Sequence, residues 1–211
     1  MMKLFSMAGT CALSVHIVLE WIGAPFEVDV MDRGENHGAG YLAINSSGQV
    51  PALLLDDGQV LTEAAAILPF LADSFPAAGL ASEATPLGRY PLTQLLSVLT
   101  GEVHVAFKPF FMPQRFVTDA AQFDAVRAQA FVVLAPMLAE LDARIGTSDF
   151  VLGDRRSVAD AYLYVLLRWV DNAPDGIAPY RNLARYRAAA EEEPAVQRAL
   201  LRQGMAPVGA G

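Results

Sequence analysis

The chain of 211 residues has a single cysteine, Cys11, so it can form no internal disulfide and no multi-cysteine metal site. Cationic side chains are in the minority, with 15 Lys and Arg against 23 Asp and Glu, for a formal net charge of −8. That excess repels phosphate backbones and no Lys/Arg cluster offsets it, which excludes nucleic acid as an expected partner. Long apolar runs are also missing. No stretch approaches bilayer-spanning length, so no membrane association is expected, and the opening segment, interrupted by His16 and Glu20, imitates a secretory leader only superficially. A cytoplasmic location is the expectation. What the chain has in quantity is core material: 54% of its residues are hydrophobic, enough for one large domain or two modest ones, and two are expected.

Up to about residue 74 the pattern alternates strand and helix. Residues 3–6 read as a strand, 11–22 as a helix stopped by Gly23, and 26–30 as a second strand rich in β-branched and aromatic residues. This β-α-β order implies a parallel pair with a helical crossover. After a glycine-containing stretch at 32–40 and a short helical turn near 41–44, residues 49–61 form a hairpin around Asp56-Asp57-Gly58. Thr62 then caps a helix over 63–73. Residues 74–86 mix Pro, Gly, Ala and Ser as a linker. Everything beyond is helical in period, over 87–107, 120–145, 157–170, 179–190 and 194–202, with kinks expected at Pro91 and Pro136 and a frayed tail from 204. The domains expected are therefore 1–76, with order βαβ-ββα, and an all-α unit over 86–203.

Cys11 lies where the first strand gives way to the first helix. Unpaired N–H groups and the helix dipole favour a thiolate there, and Cys11-Ala12-Leu13-Ser14 has the form of a redox motif that lacks its resolving thiol. Such a sulfur suits a mixed disulfide with a small thiol. On spacing alone, a small buried hydrophobe is the plainer reading of the residue. Ser157-Val158-Ala159-Asp160 is a capping-box variant opening an apolar helix, which makes Asp160 a residue of the fold.

Cys11 after the first strand, the Gly48-Gln49-Val50-Pro51 turn, Leu61-Thr62-Glu63 before the third helix, and Ser157-Val158-Ala159-Asp160-Ala161-Tyr162 occur in one order over nearly the whole chain. Gly101-Glu102-Val103-His104 and Leu166-Leu167-Arg168-Trp169 extend the pattern. Together they resemble the soluble glutathione transferases, most closely the bacterial beta class. The resemblance implies a thioredoxin-like domain followed by a helical one, a homodimer, and glutathione as co-substrate with no metal. It implies a cis Val50–Pro51 bond that turns the Val50 backbone toward the cysteinyl part of glutathione. Glu63 meets the γ-glutamyl ammonium and the Ala64 N–H its carboxylate. Cys11 lies beside the glutathione sulfur, and His104, a near-neutral imidazole, serves as the active-site histidine. Phe107, Phe110, Phe111, Met112 and Trp169 form an aromatic wall for the second substrate. Without the resemblance, Glu63 reads as a first-turn carboxylate and His104 as a structural histidine.

The chain departs from the class at several points. Ala64 stands where many members have Ser, Ser97 near a common Asn of the glutathione site, and Val105 where a Lys follows the histidine. The loop at 32–40 is short, with Arg33 as its available cation. The expected activity is conjugation of glutathione to small apolar electrophiles, thiol–disulfide exchange through Cys11, or both. The alternative is a non-catalytic relative that binds apolar ligands or a protein partner and has weak or no glutathione affinity.

Overall fold

A computed structural model describes residues 1–81 and 83–207. Its sheet holds β1 (Met2–Ser6), β2 (Phe26–Val30), β3 (Ala52–Leu54) and β4 (Val60–Thr62) in the order β2-β1-β3-β4. β1 runs parallel to β2, pairing Leu4 with Val28, and antiparallel to β3, pairing Leu4 with Leu53; β3 and β4 close the hairpin. Period-two alternation divides β1 between two apolar layers. Leu4 joins the main core, while Phe5 packs with Tyr41 and Ala52 on the other face. The short helix α2 (Ala39–Leu42) carries Tyr41 to that second layer.

The crossover helix α1 (Ala12–Ile22) is buried from Ala12 to Leu19. It ends where Gly23 adopts φ 71° and returns its N–H to the Leu19 carbonyl at 3.0 Å, a left-handed cap that glycine takes without steric cost. α3 (Ala64–Ser74) follows the hairpin. Thr62, expected to cap it, is instead the last residue of β4, and Glu63 takes the cap position.

Beyond residue 85 the chain forms α4 (Pro86–Val98), α5 (His104–Phe111), α6 (Phe123–Ile145), α7 (Val158–Trp169), α8 (Arg181–Glu191) and α9 (Pro194–Arg202). The single helix expected over 87–107 is divided, although not at Pro91, which α4 accommodates five residues into its length. The division is a π-turn at Leu99–Val103, in which the His104 N–H reaches back to the Leu99 carbonyl. One wide turn re-aims the face that follows it, and such turns recur at functional sites. α6 likewise continues through Pro136.

α7 is the axis of the helical unit, buried from Val158 to Leu167. Asp160 fixes its start, as its sequence suggests, and does more. Its carboxylate accepts from the Ser157 N–H at 2.7 Å, the Ser157 hydroxyl at 2.9 Å, the Val151 N–H at 2.8 Å and the Tyr186 hydroxyl at 2.9 Å. α1 packs against α7 and α9, so the sheet unit and the helices share one apolar core from Leu4 to Leu200. The tail is not wholly frayed. The Met205 N–H bonds the Leu200 carbonyl, and Arg168 donates to the Ala206 carbonyl at 2.8 Å; residues 208–211 lie outside the described residues.

Candidate functional site

A cavity of about 440 Å³ opens where the sheet unit meets the helical one. Its sheet-side wall is a succession of chain ends. Cys11 stands just before α1, Val50 and Pro51 lead into β3 through a cis bond, and Thr62, Glu63, Ala64 and Ala65 form the passage from β4 to α3. The Gln49 carbonyl beside them is held by the Tyr41 hydroxyl and, at 2.8 Å, by the Asn45 amide. This fixes the turn that delivers Val50.

Glu63 has φ 66°, the only non-glycine residue with positive φ among the described residues. An L-residue adopts that conformation at a cost, and such strain concentrates where a side chain must be aimed. The amides of Ala66 and Ile67 close onto the Glu63 carbonyl at 2.9 Å. Those of Ala64 and Ala65, ahead of them at the positive end of α3, border the cavity and suit an anion.

The helical wall is set by spacing. Thr100, His104, Lys108 and Phe111 recur every three or four residues through the π-turn and α5, and Met112 and Arg115 continue the wall beyond it. Tyr162 reaches the same cavity from α7. Its hydroxyl bonds His104 Nδ1 at 2.5 Å, and the His104 ring lies edge-on to Trp169 at 4.9 Å. Trp169 donates from Nε1 to the Gly9 carbonyl at 2.9 Å, tying α7 to the turn that carries Cys11.

The electrostatics correct two expectations. Burial pushes the Cys11 thiol up to about 11, Glu63 adds to the rise, and the backbone at the helix start, Tyr162 and Lys108 offset only part of it. The resting sulfur is therefore a thiol, despite its place at a helix N-terminus. His104 is not near neutral but lowered to about 4, first by burial and then by the Lys108 charge, so its imidazole is uncharged at physiological pH. Cys11 Sγ lies 3.8 Å from the Val50 carbonyl oxygen, a weak acceptor contact that suits a protonated sulfur. Ser14, where a redox motif would carry its second thiol, is buried with its hydroxyl donating to the Cys11 carbonyl at 2.6 Å.

Of the residues expected at the site, Cys11, Val50, Pro51, Glu63, Ala64, His104, Phe111 and Met112 border this one cavity. Ser97 does not; it is exposed on α4, its hydroxyl bonded back to the Thr93 carbonyl at 2.8 Å. Arg33 is exposed away from the cavity. The aromatic wall is also revised. Phe107 is fully buried, Trp169 is 8% exposed, and Phe110 packs on Phe131 at 4.9 Å, because the rings on that side of α5 fill the seam with α6 and α7. Sequence reasoning missed Tyr162, Lys108 and Arg115. Lys108 was signalled by its spacing, four residues after His104, and replaces on the next turn the cation that Val105 lacks. Lys108 and Arg115 have no ion-pair partner among the described residues, so the cavity is locally basic on a protein of net charge −8. The described residues include no group of three or more His, Cys, Asp or Glu placed to hold a metal, and no helix long and apolar enough to cross a membrane.

Comparison with known proteins adds the following. The family model described as "Glutathione S-transferase, N-terminal domain" matches residues 8–74, and "Glutathione S-transferase, C-terminal domain" matches 124–189. Glutathione S-transferase GstA of Escherichia coli O157:H7 is 36% identical over 207 residues, which covers 97% of this chain and 100% of the relative. Among solved structures, a glutathione S-transferase from Xylella fastidiosa superposes with a TM-score of 0.91 at 32% identity, covering 98% of this chain and 100% of the other. A sphingomonad glutathione S-transferase complexed with glutathione superposes at 0.85 with 40% identity, covering 97% and 100%.

Proposed function

Since the chain belongs to the glutathione S-transferase family and is a transferase of that type, we propose that the cavity between its two units binds glutathione and delivers the sulfur to a second substrate. Glu63 receives the γ-glutamyl ammonium and the Ala64 amide its carboxylate, while the Val50 backbone pairs with the cysteinyl residue. Glutathione then lies with its sulfur toward Cys11 and His104. The observation that carries this reading is the aim of Glu63, whose strained φ of 66° sets a carboxylate beside the open amides of α3.

Conjugation is the principal activity in this reading. With Cys11 a thiol and His104 neutral, the nucleophile is glutathione's own sulfur, and the thiol, imidazole and Lys108 offer hydrogen bonds and positive charge to it as it ionises. Exchange through a Cys11–glutathione mixed disulfide is the second activity and is slow in the attacking direction, because little thiolate is present at neutral pH. Second substrates sit against Phe111 and Met112, with Lys108 and Arg115 favouring electrophiles that join an apolar body to an acidic group. We place the domain boundaries at 1–76 and 86–203, the location in the cytoplasm, and the assembly as a homodimer. The exposed Phe70 on α3 and the exposed Leu87 and Tyr90 on α4 support that assembly, on a surface where Arg89 and Asp73 join the two helices at 3.5 Å.

The test is isothermal titration of glutathione into reduced protein, with Cys11→Ser alongside. Saturable binding in the micromolar to low millimolar range is expected for both. Absence of heat at millimolar glutathione, with no thermal shift, would sink the reading in favour of a non-catalytic carrier.

A further inference from the structure

Tyr162 is 2% exposed, yet its hydroxyl is the meeting point of the site. It bonds His104 Nδ1 at 2.5 Å and borders the same cavity as Cys11, where its hydroxyl favours the thiolate over the thiol. A phenol has one proton and two lone pairs, so it donates to only one of these groups at a time. While Sγ is protonated, its acceptor is the Val50 carbonyl at 3.8 Å, and the phenol is free to donate to His104. Once Sγ carries negative charge, the Val50 carbonyl has nothing to offer it. The phenol is then the donor that can turn to the sulfur, and the imidazole proton moves through cleft solvent from Nε2 to Nδ1, from which the ring, still neutral, donates to the phenol oxygen.

We propose that Tyr162 is the residue that stabilises negative charge on Cys11 Sγ, its hydroxyl turning from His104 to the sulfur whenever that sulfur forms or departs as a thiolate. α7 is built to hold this arrangement. Trp169, seven residues and two turns further on, anchors the Cys11 turn through the Gly9 carbonyl at 2.9 Å and packs against the His104 ring. The charged and titratable groups around Sγ are Glu63 at the start of α3, which opposes the thiolate, Lys108 of α5, which favours it, Tyr162 itself, and the neutral His104 of α5, bonded to the phenol on the same cavity wall.

The consequence for turnover rests on the glutathione reading above. In exchange, a thiolate attacks the glutathione sulfur of the Cys11 mixed disulfide. A new S–S bond forms as the old one breaks, the electron pair departs on Sγ, and Tyr162 holds that charge until solvent supplies a proton. The overall redox level does not change.

The ionisation of Cys11 can be tested without glutathione, so failure here is distinct from failure of that reading. Because Cys11 is the only cysteine, the pH profile of alkylation by neutral iodoacetamide reports on it alone. Tyr162→Phe removes one oxygen and should move the profile to higher pH, slowing alkylation in mildly alkaline buffer about tenfold, the loss expected for a hydrogen bond to a charged atom. His104→Gln, which leaves the phenol in place, should retain most of the rate. Biosynthetic replacement of tyrosine by 3-fluorotyrosine, a stronger donor, should shift the profile the opposite way and needs no mutation. An unchanged profile in Tyr162→Phe overturns the proposal. So does an equal loss in His104→Gln, which would assign the charge to the imidazole, or, should Tyr162→Phe not fold, a fluorotyrosine profile that does not move.

Discussion

Two histidines in this protein, one fully buried and one partly buried, have the same electrostatic character and sit in different kinds of place. His16 and His104 are each lowered to about 4 with burial as the leading cause, aided by Arg202 for His16 and Lys108 for His104. His16 lies in the seam between α1 and α9. Its Nδ1 faces the Gln203 amide at 3.0 Å, its Nε2 stands 3.7 Å from Glu20, and Glu20 is clamped by Arg198 at 2.7 Å and Arg202 at 2.9 Å. The ring there is fully buried. His104 meets Tyr162 and looks into the cleft. A displaced pKa therefore records burial at both positions, and what separates a seam from a site is the space in front of the ring.

The sharpest way to break the comparison is through the sulfur that only one side possesses. Cys11→Ala should abolish thiol–disulfide exchange altogether while conjugation persists at reduced rate, since glutathione brings its own nucleophile; exchange that survives the substitution would refute a Cys11 mixed disulfide. Next come the histidines. His104→Ala should lower kcat/KM for conjugation about 10- to 100-fold. His16→Ala should cost about 2–4 kcal/mol of stability, by opening a cavity and leaving the Gln203 amide unpaired, and should spare kcat/KM in the folded fraction. Steady-state kinetics and urea unfolding on both variants separate the two effects, and a kinetic defect in His16→Ala of the same size would erase the distinction.

The sheet side of the site was legible in the sequence for a local reason. Cys11, Val50, Pro51 and Glu63 stand at chain ends marked by strand alternation, a Gly48-centred turn and the start of an apolar helix, and those signals lie within a few residues of the sites they mark. The helical side was less legible because tertiary packing sets it. Tyr162 lies in the run Ala161 to Leu167, where every residue is buried, so no period marks which side chain meets a cavity. Phe107 and Phe111 share one helix and one chemistry, yet the seam with α6 and α7 takes the first and the cleft keeps the second. The π-turn at Leu99–Val103 was invisible, because Gly101 within it would meet nothing if it carried a Cβ and so gives no steric sign of its place. The thiol illustrates the same limit: the helix start that lowers its pKa can be read locally, while the burial that outweighs it cannot.

The matched histidines also predict a shared acid sensitivity. An unfolded chain protonates each ring near its ordinary value, while the folded protein does so only near 4, so between those values the unfolded state binds more protons and stability falls as pH falls. Above about pH 6.5 the two contribute no slope. For the fully buried His16 the loss across the window amounts to about 3 kcal/mol. Urea unfolding near pH 7 and near pH 4.5 should show this, with His16→Asn losing less than the wild type. Equal losses would mean that His16 is not held neutral by the seam. Conjugation should meanwhile show no inflection near the ordinary histidine value, because His104 stays uncharged through that range.

The smallest expected effect concerns the cations, which face solvent in the cleft rather than each other's counter-ions. Arg115→Gln and Lys108→Met should each lower kcat/KM for a carboxylated electrophile about two- to fivefold, the range of an exposed ion pair. The methyl ester of the same electrophile should react unchanged in Arg115→Gln and slow only slightly in Lys108→Met, which also loses the charge offered to the glutathione sulfur, and KM for glutathione should hold. The effect should shrink as salt is raised, because both side chains are exposed. If instead KM for glutathione rises and the acid and ester slow together, the two cations serve glutathione's own carboxylate. The basic edge of the cleft would then belong to the first substrate, and selectivity for the second would fall to Phe111 and Met112 alone.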